Sequence, residues 1–311
     1  MNAQLLRRGF LALALVLMAG LGAGFAGGAS AQAPKLEGFP TPEAAADKLT
    51  DAIRRDDGKA IAAILGPNWL DSVVGNPDDE DRLREKFLAA WDASHKVVVD
   101  GDKATVQVGT SGWVSPLPIV KDGTEWRYDI EAGRKEVTAR RIGRNELSVI
   151  QSLLAIVDAQ RDYAALDPMK TGLQVYARRL LSSPGKKDGL YWETAPGQPE
   201  SPIGPALAAA QAHGQGGADG YYGYHFRLLY AQGPAAPGGA YDYLVAGRML
   251  GGFAVIAWPV RYGDTGVMTF MVSQSGDVYE QDLGPDTAAR AAAIDIFNPD
   301  KGWDKADTTP P

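Results

Sequence analysis

The spacing of apolar residues changes several times along the chain. Behind Thr41-Pro42, Ala45, Leu49, Ala52 and Ile53 recur at helical intervals, with threonine suited to an N-cap and proline to the first helical position. Asp57-Gly58 interrupts that face, and a short second helix reaches Leu65. A third is expected over 81–94, with Leu83, Phe87, Leu88 and Trp91 turned inward. The period then falls to two. Residues 96–99 and 104–108 read as a hairpin around Asp100-Gly101-Asp102, and 117–120 and 125–130 as another around Lys121-Asp122-Gly123. Trp126, Tyr128 and Ile130 share one face of the returning strand. A helical period returns over 144–165, where Leu147, Ile150, Leu154 and Val157 align. Beyond it Gly, Pro and Tyr accumulate. Strands are expected at 222–230, 241–249, 253–258, 267–272 and 278–281, with glycine-rich turns between them.

Helices followed by antiparallel strands, twice over, give an α+β fold class with two domains, 32–142 and 143–299. The first, helices plus a curved antiparallel sheet, resembles the nuclear-transport-factor-2-like fold in its order of elements. The second, a long helix leading into an antiparallel meander, resembles the globular part of type IV pilin-like proteins. Residues 300–311, ending in Thr-Thr-Pro-Pro, read as a disordered tail.

The start of the chain has a different character. Arg7 and Arg8 precede an apolar stretch over 10–21, and small residues lead to Ala29-Ser30-Ala31. That is the order of a secretory signal peptide cleaved between Ala31 and Gln32. The apolar stretch is short of the roughly 20 residues of a membrane span, so no membrane anchor is expected after cleavage. Arg7-Arg8-Gly9-Phe10-Leu11 also fits a twin-arginine signal, although no cofactor motif calls for export in the folded state. A periplasmic or secreted location follows. Gly22 to Gly27 match G-x-G-x-x-G, but inside the signal and without a strand before them they are no nucleotide site.

Composition narrows the chemistry. The chain of 311 residues carries a net charge of −7, and its signal holds two arginines and no acid, so the remainder is more acidic still. Nucleic acid is not expected as a partner. With no cysteine, an exported chain is held together by packing alone and has no thiolate metal site or thiol nucleophile.

Several segments of the second half are distinctive. They are Ser182-Ser183-Pro184-Gly185-Lys186-Lys187-Asp188-Gly189-Leu190-Tyr191-Trp192, Glu200 to Pro205, Gly223-Tyr224-His225-Phe226-Arg227, and Gly251-Gly252-Phe253 through Trp258-Pro259 to Tyr262-Gly263. With Ile142-Gly143-Arg144-Asn145-Glu146-Leu147 they resemble the bacterial family of unknown function numbered 2950. The resemblance implies an exported, periplasmic protein and brings no catalytic residue with it. In the family the stretch over 167–176 is similar to a calcium loop. Here Lys170 stands where a ligand would sit, which argues against calcium.

Catalytic and metal templates find little support. His95, His213 and His225 have no paired ligand spacing, and no cofactor is expected. His95 follows an apolar helix and suits a capping or packing role. Ser183-Pro184-Gly185-Lys186 fits S-x-x-K, but Pro-Gly places it in a turn. Asp78 to Asp81 precede a helix and complement its dipole. Arg134, Lys135, Arg140, Arg141 and Arg144 form a basic stretch punctuated by acids, read as a solvated or inter-domain pairing face.

The candidate ligand-binding set is Lys186, Tyr191, Trp192, Tyr224, His225, Arg227, Trp258 and Arg261, with Tyr221, Tyr222 and Tyr262 nearby in sequence. If the charged members converge, they would hold an anionic group or a sugar-like polymer beside an aromatic wall. Alternatively, the aromatics fill the sheet's core and the charges cap its rim, the commoner arrangement. The leading expectation is a non-enzymatic protein binding a small ligand or an envelope protein. A hydrolase using His225 with Asp188 or Asp264, and a pilus-like assembly subunit, are the alternatives.

Overall fold

The structure, a computed structural model, describes residues 36–69, 80–198, 200–209 and 220–309. The expected signal, with Ala31 and Gln32, lies outside these residues, as do Asp78, Asp79 and His213. From Leu36 onward the chain is one compact unit whose buried apolar side chains gather in two clusters. Helices and antiparallel sheets are both present, as the α+β reading requires.

The first cluster lies between three helices and one sheet. In α1 (Pro42–Arg54) the Thr41 hydroxyl accepts from Ala44 N at 3.1 Å, and in α2 (Gly58–Leu65) Asp57 accepts from Ala60 N at 3.0 Å. Helix α3 (Glu80–Ala93) is followed by His95, whose ring stacks on Trp91 at 4.0 Å and whose Nδ1 lies 3.0 Å from the Trp91 carbonyl. The capping and packing role expected of His95 is the one it has.

Strands β1 (His95–Asp100), β2 (Lys103–Val108), β4 (Ile119–Asp122) and β5 (Glu125–Tyr128) follow in that order across the sheet, with β3 (Trp113–Val114) also beside β2. The pairs Asp100–Lys103 and Asp122–Glu125 close the two expected hairpins with two-residue turns. Val106, Ile119 and Trp126 face Leu49, Ile64 and Trp91 in the buried cluster. Phe39 exchanges backbone hydrogen bonds with Trp126 at 2.7 and 2.8 Å, so the free edge of β5 is covered.

Strand β5 was expected to run through Ile130, but Asp129 ends it. The Asp129 carboxylate accepts from Ala132 N at 3.0 Å and caps α4 (Ile130–Leu166), a helix of 37 residues and about 55 Å. The helix therefore begins well before 144, and the expected domain boundary at 142/143 falls inside it. Its first half shows no apolar period because it is held by pairs along its own surface. Glu131 meets Arg134 and Lys135 at 3.6 Å, and Glu136 meets Arg140 at 2.7 Å. Gly133 packs against Leu117 of the first cluster, whereas Val149, Leu153, Ile156 and Tyr163 belong to the second.

At its end Asp167 turns left-handed, with φ 41°. Its carboxylate accepts from Thr171 N at 2.8 Å, Thr171 Oγ1 at 2.9 Å and Gly172 N at 2.7 Å, and the two backbone bonds foremost hold its pKa low. The acid of the supposed calcium loop is thus bonded to the loop itself.

The second sheet is antiparallel throughout. From β6 (Tyr224–Leu229) the chain makes two small excursions, pairing β7 (Ala231–Gln232) with β8 (Tyr241–Asp242) and β9 (Leu244–Val245) with β10 (Arg248–Met249). The single strand expected over 241–249 is folded back on itself by a turn at Ala246-Gly247, both with positive φ (49° and 74°), and Tyr243 donates to Gln232 Oε1 at 3.0 Å. It then continues through β11 (Ala254–Pro259), β12 (Met268–Ser273) and β13 (Val278–Asp282), which lie in order beside β6.

The expected disordered tail from 300 is instead built into this sheet. Asp304–Lys305 forms β14 against Tyr279 and Glu280, and Ala306 is buried. Backbone pairing holds this segment, so its polar side chains gave no sign of it. Short helices α5 (Pro205–Ala209) and α6 (Thr287–Ala292) complete the fold. Tyr224 reaches α4 from one face of β6, and Arg227 reaches α6 from the other, the alternation expected of the strand. Among the described residues no helix is long and apolar enough to cross a membrane.

Candidate functional site

The eight residues of the candidate ligand set do not share one place. Tyr224 is fully buried, and its hydroxyl donates to the Met268 carbonyl at 2.9 Å and lies 3.3 Å from Glu146 Oε1. On the other face of β6, the Arg227 guanidinium donates to the carbonyls of Ala291 at 2.9 Å and Ile294 at 2.7 Å, where α6 ends. It also lies over the Trp258 ring at 5.9 Å, next to His225. Arg227 is therefore the cationic cap of a short helix rather than a free anion receptor.

Trp192 packs edge-on against Tyr163, with Lys187 over it at 5.2 Å. Its neighbour Lys186 is exposed in a turn closed by its own N–H to the Ser183 carbonyl at 2.9 Å. That is the turn expected for S-x-x-K. Tyr191 is fixed by backbone bonds to Leu180 and Ser182, and Arg261 donates to Asp264 at 2.7 Å. The aromatics of this set pack into or against the core, and the cations are spread along its rim.

The His225 hydrolase arrangement is not assembled. Among the described residues the buried His225 Nδ1 has no hydrogen-bond partner, and burial lowers the ring's pKa. Asp264 pairs with Arg261 and Arg141, and the Arg261 bond foremost holds its pKa down. Burial acts against the Asp188 charge, yet bonds from Ser183 N at 2.7 Å and Ser183 Oγ at 2.9 Å keep its carboxyl below the usual range. Both acids are committed to partners other than the imidazole a general base would need.

Among the described residues a different place is open. Along α4, Arg144, Leu147, Ser148, Gln151, Ser152 and Ala155 form one stripe at intervals of three and four residues. Across from them stand Leu207 of α5 and the pair Tyr221 and Tyr222, leaving a groove of about 500 Å³. That volume lies within the range of about 300–1,000 Å³ found for small-molecule sites.

Leu147 is 39% exposed in this groove, although its spacing suggested a core position. Ile150 and Val157 are buried as expected, with Leu154 against the core, and Val149, Leu153 and Ile156 complete the buried face of α4. The hydroxyls of Ser148 and Ser152 donate to the Arg144 and Ser148 carbonyls at 2.8 and 2.7 Å, which leaves the wall largely apolar. Arg144 is exposed, and among the described residues its guanidinium has no acidic partner.

The aromatic lip is held by an unusual turn. Tyr221 and Tyr224 exchange backbone hydrogen bonds at 2.9 and 3.1 Å around Tyr222-Gly223, and both central residues have positive φ, 50° and 71°. Such two-residue turns favour Asn-Gly, and a tyrosine in the left-handed region is strained. Tyr222 is nevertheless 49% exposed, its ring 4.5 Å from that of Tyr221. Burial, then the Tyr222 hydroxyl, push the Tyr221 phenol upward.

A second cavity of about 400 Å³ lies beside α6, where several polar groups are already engaged. Arg290 donates to the Leu283 carbonyl at 2.5 Å, Asn298 accepts from Ala235 N at 2.9 Å, and Asp300 accepts from Gly302 N at 3.0 Å.

A family model described as a protein of unknown function, DUF2950, matches residues 37–306. The chain belongs to that family. No curated protein and no solved structure matches it.

In this DUF2950 protein the segment Ile142 to Leu147 has a clear structural task. Arg141 pairs with Asp264, Asn145 donates to the Thr265 carbonyl at 2.8 Å, and Glu146 accepts from Val267 N at 2.8 Å and Met268 N at 2.9 Å. These bonds dock α4 on the loop that enters β12. The fit is close: a Cβ on Gly266 would collide with the Tyr224 hydroxyl. This docking sets the rotation of α4 and thereby turns Arg144 and Leu147 outward.

Proposed function

We propose that this DUF2950 protein is an exported, non-enzymatic binding protein of the cell envelope, periplasmic or secreted, which holds its ligand in the groove along α4. The sequence supports export through Arg7, Arg8, the apolar stretch over 10–21 and Ala29-Ser30-Ala31. The observation that carries the binding reading is the groove itself. It places exposed Leu147 and Tyr222 beside an arginine with no acidic partner among the described residues. The engagement of Asp188 and Asp264 away from His225 weighs against the hydrolase.

A mixture of small envelope metabolites, screened by chemical-shift perturbation, tests the reading. Binding is expected to move the resonances of Leu147, Ala155 and Tyr222, and Ala155→Trp, which fills the groove, is expected to abolish the shifts. Shifts confined to other surfaces, or turnover abolished by His225→Ala, would overturn it. Export is tested separately by the N-terminus of the protein recovered from a bacterial periplasm, expected at Gln32.

A further inference from the structure

We infer that the groove along α4 takes an anionic amphiphile, a carboxylate carried on a linear apolar body. This rests on the binding reading above and names the ligand class for the same site. Among the described residues the groove is lined by one charged group, and it stands at one end. Arg144 marks the N-terminal end of the lining stripe and Ala155 the C-terminal end. A guanidinium presents a planar fork of donors that matches a carboxylate in two parallel bonds.

Behind that charge the wall changes character. Leu147, Ala155 and Leu207 are aliphatic, the Ser148 and Ser152 protons are spent on helix carbonyls, and the Gln151 amide donates to the Thr308 carbonyl at 3.3 Å, so the tyrosine hydroxyls at the lip are the main polar groups left besides Arg144. A sugar would find few donors on this wall, whereas an alkyl chain needs none. From Arg144 to Ala155 the helix rises about 16 Å, the reach of an extended chain of about a dozen carbons.

The Tyr222 turn is the second, independent observation. Asparagine or glycine would form the same turn without strain, so a half-exposed tyrosine there is a local conflict. A ring closing over an apolar chain gives that conflict a use, because aromatic side chains supply large contact area.

The experiment is a calorimetric titration of the purified protein with dodecanoate, dodecyl phosphate, dodecanol and dodecyltrimethylammonium, each below its aggregation concentration. Dodecanoate is expected to bind at least about fivefold more tightly than dodecanol, and the cationic probe weakest. Dodecyl phosphate separates a carboxylate site from a general anion site: tighter binding than dodecanoate would overturn the carboxylate assignment.

Arg144→Gln is expected to weaken dodecanoate about five- to tenfold and leave dodecanol unchanged. Tyr222→Asn is expected to weaken both several-fold, reporting on the apolar body. Equal affinity for dodecanoate and dodecanol, or dodecanoate binding indifferent to Arg144→Gln, overturns the ligand class and leaves the groove as a binding site. No binding of any of the four probes, while metabolites still shift Leu147 and Tyr222, overturns the ligand class alone; no shift at those residues with metabolites or probes overturns both readings.

Discussion

Arg227 and Arg144 carry the same guanidinium into opposite circumstances. Arg227 is enclosed by the carbonyls at the end of α6 and the Trp258 ring, whereas Arg144 stands at the mouth of a groove with no acidic partner among the described residues. By residue type alone, Arg227 looks the better ligand-binding candidate, since a histidine, a tryptophan and a tyrosine are close to it in sequence or across the sheet. Hydrogen-bond accounting reverses the order. A charge whose donors are committed contributes to the fold, and one whose donors are uncommitted is available to a ligand.

That contrast can be broken by substitution. The largest effect is expected where the α4 seam is fully engaged. Glu146→Ala leaves the N–H groups of Val267 and Met268 without an acceptor and should cost about 3 kcal/mol in urea unfolding, with Glu146→Gln recovering much of it. Arg227→Ala uncovers the carbonyls at the end of α6 and should cost about 2 kcal/mol by the same measurement.

At the groove the signs change. Tyr222→Asn relieves a left-handed tyrosine and should add about 1 kcal/mol, raising the melting temperature by about 2–4 °C while weakening ligand binding. A gain in stability accompanied by a loss of binding is the signature of a residue kept for its contact.

His225 gives a smaller, pH-dependent effect. Burial lowers its pKa in the folded state, so below about 6.5 the unfolded chain binds the extra proton more readily. Stability should be complete above that pH and decline as the pH falls. His225→Leu should flatten the decline, and an unchanged slope would remove His225 as its source. Last, Arg144→Ala should change stability by less than about 0.5 kcal/mol. A loss comparable to that of Arg227→Ala would erase the distinction between the two arginines.

Local rules made much of this readable in advance. Thr41-Pro42 marked a helix start, two short polar turns marked hairpins, and alternation in 224–229 separated Tyr224 from His225 and Arg227. Other features depend on long-range contacts. The first half of α4 is solvated on most sides and held by charge pairs, so its apolar period is absent although its helix is not. The outward position of Leu147 follows from Asn145 and Glu146 gripping residues 265–268, more than a hundred positions later. The groove needs 144–155 and 221–222 together, and neither stretch announces the other. Ser148, Ser152 and Ala155, small residues at helical spacing beside exposed Leu147, were the nearest available signal.

Helix α4 also governs how the chain comes apart. One end rests on Leu117 and the first sheet, and the other on the core of the second sheet, with no break between them. Loosening either sheet removes support from the same rod, so the penalty of local opening is passed along the helix to the other core. The two halves should then melt as one cooperative block, with the slowest-exchanging amides of α4 in its buried stretch from Val149 to Tyr163.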